Sequence, residues 1–120
     1  MGGRLYGRAS GAEEVMAPSL ERLNRWYVEN CNEDWEHGYG VKIETLDNPS
    51  WLVHFDLQDT RLEQCSFNEI SQGCLADGTP DHERWIHCRV VGKRWTGAGD
   101  PSQLELILEA FLDWSDKTGR

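Results

Sequence analysis

The chain is poor in positive charge: 12 lysines and arginines stand against 21 aspartates and glutamates, a formal net charge of −9 over 120 residues. A nucleic-acid surface needs clustered cations that displace counterions from phosphate, and here the bases are scattered singly or in pairs such as Lys93-Arg94. No nucleic-acid partner is expected, and anionic lipid would be repelled by the same charge. Long apolar runs are missing too. Nothing approaches the roughly 20 residues that span a bilayer, and the opening stretch, with Arg4, Arg8, Glu13 and Glu14, lacks the apolar segment of an export signal. A cytoplasmic protein with no membrane partner is expected. Cysteine is limited to Cys31, Cys65, Cys74 and Cys88, at long irregular spacings that read as free thiols rather than a disulfide framework. There is no phosphate loop, nucleophile elbow, Cys-x-x-Cys pair or dinucleotide fingerprint.

What is present is enough for a core. Hydrophobic residues make up 38% of the chain and six tryptophans dominate the aromatics. A domain of this length buries roughly two-thirds of its unfolded surface, so neither metal nor disulfide is needed to hold it. Residues 1–17 carry four glycines and no apolar periodicity, which reads as a flexible leader in which Met16 is an alternative start. Residues 18–116 are assigned to one domain and 117–120 to a flexible tail.

From Ser19, the expected N-cap, Leu20, Leu23, Tyr27 and Cys31 form one helical stripe that ends near Asn32. Val41, Ile43 and Thr45 alternate with Lys42, Glu44 and Leu46 in a half-buried strand. Asp47-Asn48-Pro49-Ser50 then makes a hairpin turn into a second strand, where Trp51, Val53, Phe55 and Leu57 face away from Leu52, His54 and Asp56. A weak third strand is expected over 65–71, a loop over 73–84, a strand from Trp85 to Val91 with Ile86, Cys88 and Val90 on one side, and a short strand from Arg94 to Thr96. Asp100, Pro101 and Gln103 have the spacing of an N-cap, a first-turn proline and a capping box, which starts a second helix running to about Ser115 with Leu104, Ile107, Leu108 and Phe111 inward. The expected fold is α+β: an N-terminal helix, an antiparallel β-meander of four to five strands and a C-terminal helix, with the helices packed on one sheet face.

Two polar constellations stand out. Glu105, Glu109 and Asp113 recur every fourth residue along the second helix, with Asp116 close to the same face. Stacked like charges cost stability, so the ridge is either a solvated face offset by arginines or a docking surface for a cationic partner. The other cluster is Glu33, Asp34, Glu36 and His37, interleaved with Trp35 and Tyr39 and closed by Gly38 and Gly40. Carboxylates beside a histidine suggest acid/base or metal chemistry, but no second histidine lies at ligand spacing and no metal is expected. Two further readings remain: a structural one, in which Trp35 and Tyr39 pin the loop while Asp34 or Glu36 holds a backbone N–H, and a recognition surface rich in aromatic and acidic anchors. Cys88-Arg89 matches the start of a sulfurtransferase active loop, yet it sits in a β-patterned run rather than a glycine-rich cradle at a helix N-terminus.

Four stretches taken together are familiar: Trp26-Tyr27 with Cys31-Asn32; the segment from Asp34-Trp35-Glu36-His37-Gly38-Tyr39-Gly40 through Asp47-Asn48-Pro49-Ser50-Trp51; Trp85-Ile86-His87-Cys88; and Gly97-Ala98-Gly99-Asp100-Pro101 through Trp114. They resemble the immunity protein 53 family of bacterial polymorphic toxin systems, over nearly all of Leu20 to Trp114. The resemblance implies a small cytoplasmic antidote, not an enzyme and without cofactor, that binds and blocks a cognate toxin. Two departures from the family pattern are Ser50 after Asn-Pro, where the family usually has glycine, which favours a type I over a type II turn, and a longer loop over 72–84.

An antidote needs a rigid surface and fast association, which the acidic charge supplies against a basic toxin such as a nuclease. The expected contact patch is Asp34, Glu36, His37 and Tyr39, with Asp47 and Asn48 on a neighbouring loop, and Glu105, Glu109 and Asp113 as a second patch. A monomer is expected. The rival readings are a general acidic protein-interaction module, a small-molecule enzyme using His37 beside Glu36, and a sulfurtransferase-like protein.

Overall fold

A computed structural model describes residues 18–118; the leader assigned to residues 1–17, and residues 119 and 120 of the tail, lie outside the described residues. In chain order the elements are α1 (Ser19–Asn30), α2 (Trp35–Gly38), β1 (Val41–Leu46), β2 (Ser50–Asp56), β3 (Ile70–Gln72), β4 (Ile86–Val91), β5 (Arg94–Gly99) and α3 (Leu104–Lys117). The five strands form one antiparallel sheet in the order β1-β2-β5-β4-β3. The architecture is the expected α+β one, with the meander split. The β1–β2 hairpin and the β3–β4–β5 meander join where β2 pairs with β5, so residues 57–69 must carry the chain to the far edge of the sheet.

Period-two patterning decides which face is covered. Val53 and Phe55 of β2, Trp95 of β5 and Cys88 of β4 are fully buried, and α3 lies over them with Ile107, Leu108, Phe111 and Leu112. Phe55 and Phe111 stack at 3.6 Å, and Trp26 of α1 meets both edge-on, which puts both helices on the same sheet face. Gly97 lets α3 approach: a Cβ there would fall 2.6 Å from Ile107 Cγ2 and 2.7 Å from the Trp95 ring. Gly97 and Gly99 therefore continue β5 past Thr96, where the sequence pattern ends it.

Several boundaries differ from the sequence reading. The buried side of α1 is Ser19 and Trp26 with Leu23 partly covered, whereas Leu20 is 64% exposed and Tyr27 39%. The stripe is rotated because the bulky indole of Trp26, not Leu20 or Tyr27, packs edge-on against the stacked pair of Phe55 and Phe111. Ser19 is the first helical residue rather than the cap; its hydroxyl donates to Glu105 of α3 at 2.5 Å. The strand expected over 65–71 reduces to Ile70–Gln72. Phe67 turns inward between Trp95 and Trp114, and the Ser66 carbonyl accepts from the Trp114 indole, so this stretch is held by side chains and not by a ladder. Asp100 does not cap α3, which begins at Leu104. Its buried carboxylate accepts from the Trp85 and Ser102 main-chain N–H groups and from the Ser102 hydroxyl, forming a turn that ties β4 to the helix entry. At the other end α3 runs two residues past Ser115, whose carbonyl accepts from the Thr118 N–H, and the Arg61 guanidinium donates to the Ser115 and Thr118 carbonyls. None of Asp47, Asn48 and Pro49 takes the positive φ that a type II turn requires.

The strand expected to be half-buried, β1, is exposed at five of its six residues. It lies at the margin of the sheet.

Candidate functional site

The turn between α1 and β1 is built by its own polar atoms. The Asn32 side-chain oxygen accepts from the N–H groups of Asp34 and Trp35 at 3.0 and 2.8 Å. Glu36 reaches back to accept from the N–H groups of Asn32 and Glu33 at 2.9 and 2.8 Å. Glu33 adopts φ 73°, a left-handed conformation that these bonds hold in place. Trp35 plugs the turn into the core, 3% exposed, with its indole N–H on the Gln58 carbonyl at 2.8 Å and its ring edge-on to Trp26. Gly40 closes the unit by donating to the Asp56 carboxylate. Backbone hydrogen bonds, from its own N–H first and then from those of Asn32 and Glu33, hold the Glu36 carboxyl below the ordinary range. Glu36 is thus a clasp. Asp34 and His37 face solvent, and Tyr39 is 39% exposed beside Trp35.

Below this turn a groove of about 290 Å³ runs onto the helix-free face of the sheet, lined among others by His37, Tyr39, Lys42, His54, Asp56 and Arg94. Arg94 donates to Asp56 at 3.0 Å, and His54 Nδ1 lies 3.0 Å from the Thr96 hydroxyl. Burial, then the charge of Arg94, lowers the pKa of His54, so its ring is neutral at pH 7. Reasoning from sequence missed Lys42, His54, Asp56 and Arg94 as groove residues. Alternation had placed His54 and Asp56 on the outer face, but only the β2–β5 register brings Arg94 opposite Asp56.

The expected contact residues fall into three places. Asp34, Glu36, His37 and Tyr39 share the α2 turn. Asp47 and Asn48 sit at the other end of the six-residue β1, about 20 Å away at roughly 3.3 Å per residue, and so do not join the first group; Asn48 accepts from the Ser50 hydroxyl at 2.5 Å. On α3, Glu105 accepts from Ser19, and Asp113 and Asp116 hold Arg22 of α1 at 2.9 Å each. Burial first, then its hydrogen bond to Glu105 and the nearby charges of Glu105 and Asp113, raises the pKa of Glu109. Much of the ridge is therefore the seam between the two helices.

The model matched by residues 20–116 is that of immunity protein 53. The chain belongs to this family. No curated protein and no solved structure matches it. Membership in the immunity protein 53 family implies a toxin-neutralising role exercised by binding a toxin protein. Among the described residues no group of three or more histidine, cysteine or acidic side chains is placed to hold a metal, and no helix is long and apolar enough to cross a membrane. Cys88, the one cysteine with a sulfurtransferase-like neighbour, is fully buried, and burial pushes its thiol up to about 12. A thiol in that state is not a nucleophile at neutral pH. The loop over 73–84 folds against the outer face: a Cβ on Gly78 would meet the His87 ring at 2.6 Å, and His87 Nε2 lies 2.5 Å from Glu69.

Proposed function

We propose that this chain is a cytoplasmic antidote that neutralises a basic toxin domain, such as a nuclease, by covering its active surface, without chemistry or cofactor of its own. The observation that carries this reading is the α2 turn, whose main chain is fixed by Asn32 and Glu36 and whose outward side chains are Asp34, His37 and Tyr39. A preorganised loop loses little entropy on binding, and an aromatic ring flanked by acids suits a cationic surface. The net charge of −9 steers such a partner in and makes the encounter sensitive to salt. Asp47 with Asn48, and Glu109 on α3, are separate surfaces that a large toxin reaches only by wrapping the domain.

The test is co-expression with the toxin domain encoded beside the gene, scoring growth and co-purification at low and high salt. Rescue of growth with a one-to-one ratio of toxin to antidote, weakened by salt, supports the reading. An active toxin that neither binds nor is neutralised refutes it for that partner and favours a general acidic interaction module.

A further inference from the structure

The two edges of the sheet are unlike. The β3 edge is only three residues long, and brevity is one way natural sheets blunt an edge. The β1 edge is six residues of unbroken register, Val41↔Phe55 to Leu46↔Ser50, with no bulge, no proline and no charge on its inward face. Among the described residues its unpaired groups can be named. Asp56 N donates to Gly40 O, and Leu57 N donates to Lys93 O, so even-numbered residues of β2 bond to β1 and odd-numbered ones to β5. In β1 it follows that Lys42, Glu44 and Leu46 spend their main-chain groups on β2, while Val41, Ile43 and Thr45 turn theirs to the open side.

That open row is self-complementary. Let a second copy approach antiparallel with the two-fold axis at Ile43. Ile43 then faces Ile43 of the second copy, and Val41 faces Thr45 in both directions. These are the residues with free N–H and C=O groups, so each pair exchanges two hydrogen bonds. On the outer face the same register sets Lys42 opposite Glu44, twice, by symmetry. Neither Lys42 nor Glu44 has an ion-pair partner among the described residues. Moving the axis to Val41 or Thr45 loses both charge pairs. On the inner face, Ile43 is 37% exposed and adjoins an apolar groove lined by Leu23, Tyr27, Tyr39 and Val41 that the second sheet would extend over.

We propose that this chain forms a symmetric dimer through its β1 strands, joined in the register centred on Ile43, making one continuous sheet across two copies. The occupant of the edge is a second copy because the edge supplies, on one strand, both halves of the charge pattern it needs. The proposal does not depend on the toxin reading, and it replaces the monomer expected from the sequence.

Sedimentation equilibrium on the full chain, at about 0.15 M salt where charges are screened beyond about 8 Å, reads the result directly. The expected mass is near twice the 13.8 kDa of the chain. Lys42→Glu and Glu44→Lys each set like charges opposite one another and raise the dimer dissociation constant by about tenfold. Mixing those two variants restores opposite charges across the interface and with them a mixed dimer of near wild-type affinity. Ile43→Pro removes an N–H that no other described residue uses and abolishes the dimer; should it fail to fold, the charge variants decide alone. A wild-type mass of one chain at hundreds of micromolar overturns the proposal. So does a dimer that the charge variants leave unchanged, or one that mixing fails to restore.

Discussion

Arg22 on α1 and Asp113 on α3 stand 2.9 Å apart, and the same guanidinium nitrogen is 2.9 Å from Asp116. The like charges stacked along α3 are therefore answered by a cation from a helix more than 80 residues earlier in the chain, with Ser19 adding a hydroxyl to Glu105 about two turns before Asp113. α1 is fastened to α3 by one buried indole and a row of polar contacts.

Replacing Arg22 by glutamine removes the cation that Asp113 and Asp116 share and that faces the Glu105–Glu109 pair. The two aspartates are 56% exposed, so solvent screens much of the pair's value, and a loss of about 1 kcal/mol is expected. For a domain of this length that lowers Tm by about 4–8 °C. Thermal melts at low and high salt check it: the deficit should shrink with salt, and an equal Tm at low salt would show that the seam is held by packing alone.

Trp26→Ala removes the only apolar side chain of α1 that is fully buried, in contact with Phe55, Phe111 and Trp35. A truncation of that size costs about 3–5 kcal/mol. Leu20→Ser, on the stripe that periodicity favours but at a side chain 64% exposed, should change stability by less than about 0.5 kcal/mol. Denaturant titrations of the two variants separate the helix face that packs from the face that merely looks apolar.

The contrast shows what one sequence could say. The strand patterns of β2 and β4 were readable because alternate residues meet different environments whatever the strand order, and Phe55, Cys88 and Ile107 are buried as their spacing implied. The rotation of α1 was not readable, since both Leu20 and Trp26 are apolar and only Phe111, brought up by the far helix, selects between them. Strand order was hidden for the same reason: nothing local to β2 announces β5 as its partner, and so the Asp56–Arg94 pair in the groove had no sequence signature. For the candidate site, the α2 turn was legible as a unit because its acids, aromatics and glycines are contiguous. Its grouping with Asp47 and Asn48 failed on the length of β1.

Gly97→Ala tests the close approach of α3 to β5. The added methyl would lie 2.6 Å from Ile107 and 2.7 Å from the rigid, fully buried Trp95 ring. Neither neighbour has room to retreat, so a loss of about 3 kcal/mol is expected, with the Trp fluorescence of the folded state altered. A variant as stable as the wild type would mean that α3 can shift outward without penalty.

Asp100 makes stability depend on acid. Burial alone would raise its pKa, but hydrogen bonds from Ser102, from the Trp85 N–H and from Gln103 prevail and hold it at about 2, below the ordinary 3.8. A carboxylate with a depressed folded-state pKa contributes fully above about pH 4, and that contribution, roughly 2 kcal/mol, fades as pH falls toward 2. Asp100→Asn should therefore be less stable than wild type at pH 7 and close to it at pH 2. Urea midpoints at pH 7, 4 and 2.5 measure the gap; a gap constant with pH would assign the loss to shape instead of charge.

Asp34 and Glu36, two residues apart, are expected to behave in opposite ways. Glu36 accepts from two N–H groups of the turn, so Glu36→Ala loosens the turn and lowers Tm whether or not a partner is present. Asp34 has a solvent-facing carboxylate, and on the proposed function Asp34→Ala leaves Tm unchanged while weakening toxin binding by about tenfold, a value in the range of exposed interface charges. Calorimetric melts of the free protein and titration against the toxin domain give the two readouts independently. Binding unaffected by Asp34→Ala, but lost with Glu109→Ala or Asp47→Ala, would place the contact on α3 or on the far end of the hairpin, and the α2 turn would then be a structural clasp with no part in recognition.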